Sequence, residues 1–153
     1  MIKILGIAAF YHDSSASLII DGHIKYAIQE ERFTRLKHDS SFPAQSIKYI
    51  LDNFNLNLND IDHIVFYEKP FIKFERLVET YLAFVPRGFN SFRKAMPLWS
   101  KEKLFQKKSI REELTKIDKN FKKKNNIYFS DHHLSHAASA FFPSPFSDAT
   151  IVT

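Results

Sequence analysis

The sequence predicts an α/β fold: a mixed sheet flanked by helices, opening in a three-stranded antiparallel meander. Three observations carry that prediction. Apolar extended runs at 2–9 and 15–20 flank a polar turn. Asp21-Gly22 joins the second run to a third. Helix-spaced and strand-spaced apolar patterns then alternate to the end of the chain.

Residues 2–9 read as a buried strand, and residues 15–20 as a second. Asp-Gly suits a two-residue hairpin turn with positive φ at both central positions, so His23 to Gln29 form the third strand. A helix follows. Pro43 fits its first turn, and Ile47, Ile50, Leu51 and Phe54 recur at helical spacing. Asn57 to Asp60 break that pattern, and Ile61 to Tyr67 make a strand. Pro70 to Val85 read as a helix with Phe71, Phe74, Leu77, Val78, Tyr81 and Leu82 on one side, ended by Pro86-Arg87-Gly88. Residues 89–120 read as further helices broken near Pro97, and Asn126 to Ser130 as a short strand. The next helix is capped by Ser130 or Asp131 and stopped by Pro143. Asp148 to Thr153 begin another strand with no turn after it, so the chain is expected to stop inside a larger fold.

Composition sets outer limits. The 153 residues are 44% hydrophobic and 25% charged, which describes an ordinary globular domain with a real core. No apolar run approaches the roughly 20 residues that span a bilayer. The first residues enter a strand pattern directly, without the layout of a signal peptide. There is no cysteine, hence no disulfide frame and no thiolate chemistry. A cytoplasmic location and no membrane partner are the default expectations. The net charge is +5, yet residues 101–125 hold ten Lys and Arg against four acids, so the rest of the chain is near neutral. Such a segment suits nucleic acid or anionic lipid. It equally suits a solvated helix face with a Lys-rich loop, and no nucleic-acid-reading motif accompanies it.

Three segments carry chemistry. His132 and His136 are four residues apart, which stacks both imidazoles on one helical face and suits one metal ion held by two nitrogens. Position 133 is His rather than Glu, so the His-Glu-x-x-His protease helix is absent. Two ligands do not complete a site, and the same histidines also suit helix packing. The turn Phe10-Tyr11-His12-Asp13-Ser14-Ser15-Ala16 offers hydroxyls, a short acid and an imidazole that titrates near neutrality. It suits a phosphate or hydroxyl ligand, or a polar turn that satisfies only its own backbone. The run Gln29 to Asp39 alternates acids and bases at a strand end, as either a site edge or a charged surface loop. With three glycines and neither Gly-x-x-x-x-Gly-Lys nor Gly-x-Gly-x-x-Gly, the chain has no P-loop and no dinucleotide fingerprint.

Together these segments resemble the N-terminal part of the O-carbamoyltransferases of the nodulation and antibiotic-tailoring type. The resemblance rests on Leu5-Gly6-Ile7, His12-Asp13-Ser14-Ser15-Ala16 and Asp21-Gly22. It continues through Glu30-Glu31-Arg32-Phe33-Thr34-Arg35, Lys37-His38 and Phe42-Pro43, and ends with His132 to Phe141. Residues 68–125 are less distinctive.

The resemblance implies the first lobe of an actin-like ATPase (ribonuclease H-like) fold, related to the threonylcarbamoyl transferases. It implies a separate domain that makes carbamoyl-adenylate from ATP and carbamoyl phosphate, and transfer of the carbamoyl group to a hydroxyl of a small-molecule acceptor. His132 and His136 are then metal ligands for ferrous iron or zinc. His12 is the base that takes the acceptor proton, and Lys37 holds the transferred intermediate or its phosphate. The family's next phosphate turn, a later metal-binding aspartate and the adenylate-forming domain are missing. Residues 1–153 are therefore expected to be the N-terminal portion of the actin-like domain, inactive alone, with a second polypeptide one way to supply the rest. Two alternatives are a truncated metal-binding module without catalysis and, less favoured, a basic nucleic-acid-binding domain.

Overall fold

The computed structural model describes residues 1–85, 87–94, 105–122 and 126–152. Five strands form one sheet: β1 (Lys3–Ala8), β2 (Ser15–Ile20), β3 (His23–Gln29), β4 (His63–Phe66) and β5 (Ile127–Phe129). Their spatial order is β3-β2-β1-β4-β5. β1 pairs antiparallel with β2, and β2 antiparallel with β3. β1 pairs parallel with β4, and β4 parallel with β5. The sheet is therefore mixed.

The β2–β3 turn follows from its residues. Asp21 has φ 48° and Gly22 φ 81°, the left-handed pair that a two-residue hairpin needs. The Asp21 carboxylate also accepts the Ile2 backbone N–H, tying this turn to the start of β1. Alternation fixes the buried face: Leu5 and Ile7 of β1, Ala16 and Leu18 of β2, and Ile64 and Phe66 of β4 are all buried. Helix α2 (Ala44–Asn53) adds buried Ile47, Ile50 and Leu51. Burying such side chains contributes roughly 1.5–3 kcal/mol each.

Two local devices join the sheet to the helices. After β3 comes one helical turn, α1 (Glu31–Thr34), closed by Arg35 at φ 60°. Glu30, just before it, is 2% exposed. Its carboxylate accepts the backbone N–H of Gln45 and Ser46 and the Ser46 hydroxyl. Pro43 stands at the cap of α2 and brings no side-chain acceptor, so Glu30 serves the free N–H groups of the first turn from outside the helix. The 57–60 break is a 3-10 turn, Leu58–Asp60, with a reciprocal Asn57/Asp60 capping box.

The chain divides into two compact units, residues 1–68 with 113–153, and residues 69–112. The second holds α3 (Pro70–Phe84) and most of α4 (Gln106–Ile117). Within it Tyr81 stacks on Phe92 with ring centroids 4.0 Å apart. α3 ends at Phe84, where Pro86-Arg87-Gly88 predicts an end; Pro86 itself and the break expected near Pro97 lie outside the described residues.

The last helix, α5 (His132–Phe141), is capped by Asp131, whose side chain accepts the His133 and Leu134 N–H groups. One expectation fails: residues 148–152 form no strand. Val152 is 93% exposed, and among the described residues it joins no strand of the sheet. An apolar run becomes a strand only when a neighbour pairs its backbone, and nothing among the described residues does so for this one.

The buried Glu30 gives a stability test. Glu30→Ala leaves two backbone donors and one hydroxyl without their acceptor. It should lower unfolding stability by about 2–4 kcal/mol with an unchanged denaturant slope. Replacing the neighbouring, less buried Glu31 is the control. A loss no larger than that control's would show that the carboxylate does not hold α2 to the sheet.

Candidate functional site

β1, β4 and β5 run parallel, and β3, antiparallel to β2, runs in the same sense. All four strands thus end at one edge. The segments leaving that edge are 9–14, 30–41, 67–68 and 130–136. Sites in α/β sheets form at such carboxyl ends. All four residues singled out from the sequence, His12, Lys37, His132 and His136, lie on these segments.

Hydrogen bonds tie the first two segments together. Phe10 N–H donates to the Ser40 carbonyl at 3.0 Å, and Ser14 N–H to the Asp39 carbonyl at 2.8 Å. The Asp39 carboxylate accepts the Ser41 N–H and the Thr34 hydroxyl, which closes the 34–41 loop on itself. These bonds hold its pKa below the ordinary value, those from Ser41 most strongly. Phe10, Asp13, Arg35 and His38 all have positive φ, 69°, 51°, 60° and 57°. For Phe10 this is a strained backbone. Its ring is held near Phe42 and Phe66, with centroids 6.0 and 6.3 Å away.

Asp13 lies between two imidazoles. His12 Nδ1 is 2.8 Å from its Oδ2, and His38 Nδ1 is 3.0 Å from its Oδ1. Both rings are mostly exposed. His38 and then His12 hold the Asp13 carboxyl below the usual carboxylate range, against a smaller opposing effect of burial. His38 and Asp13 belong to the family-like motifs, but the sequence alone assigns neither a role. The adjacent pairs His12-Asp13 and His38-Asp39 were the available signal, yet no spacing rule says that residue 38 reaches residue 13. Lys37 is exposed on the same loop and makes no ion pair among the described residues.

At the other end of this edge, α5 starts directly after β5. The Ser130 N–H donates to the Phe66 carbonyl, and the Ser135 hydroxyl donates to the Tyr67 carbonyl. The His132 ring lies 5.7 Å from the Tyr67 ring. Burial, and then the Glu68 charge, push the Tyr67 phenol up to about 12.

His132 Nε2 and His136 Nε2 are 3.1 Å apart. That distance suits a direct hydrogen bond. It also suits two ligands of one ion: at metal–nitrogen bonds of about 2.0–2.1 Å, two nitrogens lie about 2.9 Å apart at a right angle and about 3.3 Å at the tetrahedral angle. The donor set therefore fits a divalent ion as two of its ligands. Among the described residues no group of three or more His, Cys, Asp or Glu side chains is placed to hold one.

The basic segment is only partly described. Lys101, Lys103, Lys123 and Lys124 lie outside the described residues. On α4, Lys108 pairs with Glu112 and Lys116 with Glu113, as on a solvated helix face. Among the described residues no helix is long and apolar enough to cross a membrane.

Comparison with known proteins bears on this geometry. The carbamoyltransferase N-terminus family matches residues 3–153. The chain belongs to that family. It is 54% identical over 153 residues to "Uncharacterized protein sll1178" of Synechocystis sp., a match covering 99% of this chain and 25% of the relative. It is 34% identical over 145 residues to nodulation protein NolNO of Sinorhizobium fredii, covering 94% of this chain and 19% of that protein. Similarity extends to "Uncharacterized protein MJ1058" of Methanocaldococcus jannaschii, 30% identical with 29% of that protein covered. The chain thus spans between about a fifth and 30% of the length of these relatives.

The Asp13 cluster predicts a titration. A carboxyl whose folded pKa is depressed adds stability that is present above its unfolded value and lost as pH falls through the folded value. The Asp13 carboxyl, followed by carbon-13 NMR, should titrate below the 3.8 of a free aspartate. In His38→Asn the midpoint should rise toward 3.8. An unmoved midpoint would mean that the two side chains do not interact in solution.

Proposed function

We propose that this chain is the N-terminal part of an O-carbamoyltransferase that passes a carbamoyl group to a hydroxyl of a small-molecule acceptor. Family membership over residues 3–153 carries the reading. The gathering of His12, Lys37, His132 and His136 at one sheet edge supports it.

In this reading the rest of the protein makes carbamoyl-adenylate from ATP and carbamoyl phosphate, and this chain's residues serve the transfer. An acceptor hydroxyl is a weak nucleophile until a base removes its proton. His12 is that base. Its Nδ1 is held by Asp13, so Nε2 is the atom left to receive the proton. The acceptor oxygen bonds to the carbamoyl carbon, and the bond from that carbon to the adenylate phosphate oxygen breaks, releasing AMP. Lys37, charged and exposed, neutralises the departing phosphate. His132 and His136 hold a divalent ion, ferrous iron or zinc. When bound, it supplies electrophilic polarisation of the carbonyl.

Two measurements test this. First, with His132 and His136 as its ligands at this site and no group of three among the described residues, the 153-residue chain should bind zinc more weakly than a complete three-ligand site, and the His132→Ala, His136→Ala double variant should abolish that binding. Equal binding by the variant would refute the assignment. Second, the isolated chain should not turn over ATP, carbamoyl phosphate and hydroxylated acceptors. In a protein carrying the remaining parts, by fusion or as a second polypeptide, His12→Ala should slow transfer by about 10²–10⁴-fold. Carbamoyl-adenylate formation should stay nearly intact. Loss of adenylate formation with transfer spared would reverse these roles.

A further inference from the structure

We propose that Asp13 and His38 are positioning residues for the acceptor base. The Asp13 carboxylate, braced from its far side by His38, holds His12 in the Nδ1–H tautomer with its Nε2 lone pair facing outward. This inference rests on the reading of His12 as the base.

The geometry carries it. An ionised carboxylate only accepts hydrogen bonds, so an imidazole nitrogen bonded to it carries the hydrogen. Asp13 gives one oxygen to each ring, Oδ2 to His12 and Oδ1 to His38. Both rings are thereby set with hydrogen on Nδ1 and an open Nε2. A solvated imidazole prefers the opposite tautomer, so the carboxylate changes which atom can take a proton.

His12 and Asp13 are chain neighbours, and that bond alone would swing freely on an exposed turn. Two things stop it. The Asp13 backbone is at φ 51°, a left-handed conformation with little freedom for a non-glycine residue. His38 then grips the second oxygen from a loop 25 positions along the chain, itself at φ 57°. The two loops are locked by the Phe10–Ser40 and Ser14–Asp39 backbone bonds. The carboxylate is thus held on both sides, although the group is too exposed for the bonds to add much stability. Their effect is on direction, which is what a general base requires.

Asp13→Asn is the decisive variant. Asparagine tolerates positive φ and keeps the side-chain shape. Its amide offers one acceptor and one donor face where the carboxylate offers two acceptors, so the two rings can no longer both keep hydrogen on Nδ1. Ring nitrogen-15 NMR of the 153-residue chain above the histidine titration range reads this directly. The expected result is Nδ1–H for both His12 and His38, and at least one ring moved to Nε2–H in Asp13→Asn with the backbone spectrum preserved. In the protein carrying the remaining parts, Asp13→Asn should lower kcat for transfer at least about tenfold, within the 10²–10⁴-fold ceiling set by the base itself, with acceptor KM unchanged. His38→Asn should lower kcat in the same direction and by less. Nε2–H for His12 in the native chain would overturn the inference. So would a full rate in Asp13→Asn alongside a slowed His12→Ala, which leaves the base reading standing. A full rate in His12→Ala would remove the base reading and this inference together.

Discussion

Parallel pairing of β1 with β4, and of β4 with β5, is the constraint on which the rest depends. Parallel neighbours deliver their carboxyl ends to one edge, and neighbouring strands lie only about 4.8 Å apart. The His12 turn leaves β1 at that edge, and the Asp131-capped helix leaves β5 there. The ends of β1 and β5, at Ala8 and Phe129, thereby lie two strand spacings, about 10 Å, apart. An antiparallel β5 would place the two histidines of α5 at the opposite edge, and the chemistry would have no common site.

Around that constraint the chain spends local conformational energy. Four non-glycine residues, Phe10, Asp13, Arg35 and His38, sit in the left-handed region within the two loops that meet at this edge. Backbone of this kind persists only where the surroundings over-determine it. Those surroundings are specific: the Phe10 ring against Phe42 and Phe66, the Ser14–Asp39 backbone bond, and Asp39 closing its own loop. Glu30 does the same for the other side of the 30–41 loop by gripping the start of α2. By contrast α5 buries none of its residues, and Leu134 is 63% exposed. Its position rests on the Asp131 cap, the Ser135–Tyr67 hydrogen bond and the Tyr67–His132 ring contact.

Much of this was legible in the sequence, and the misses have physical causes. The apolar run at 15–20 and the Asp-Gly turn marked β2 and β3 to the residue, because such signals are local. The family was readable from short motifs whose order and spacing run from residue 5 to residue 141. The His12–Asp13–His38 cluster was not readable, since it depends on how two loops cross rather than on spacing within either. The role of Glu30 was hidden for the same reason: a cap supplied from 15 residues away leaves no capping signature beside Pro43. Of the strand expected at 148–153, residues 148–152 form none, because apolar character sets β-propensity, whereas pairing makes a strand.

A shared edge for the two clusters is the central claim, and a chain without cysteine makes it directly measurable. Leu134→Cys places a single thiol on an exposed position of α5 for a nitroxide label. His23 begins β3, about 20 Å of strand away from the edge in question, and is an internal reference. Strong paramagnetic broadening of the His12 ring signals, with little at His23, is the predicted result. Broadening at His23 equal to or greater than that at His12 would contradict it.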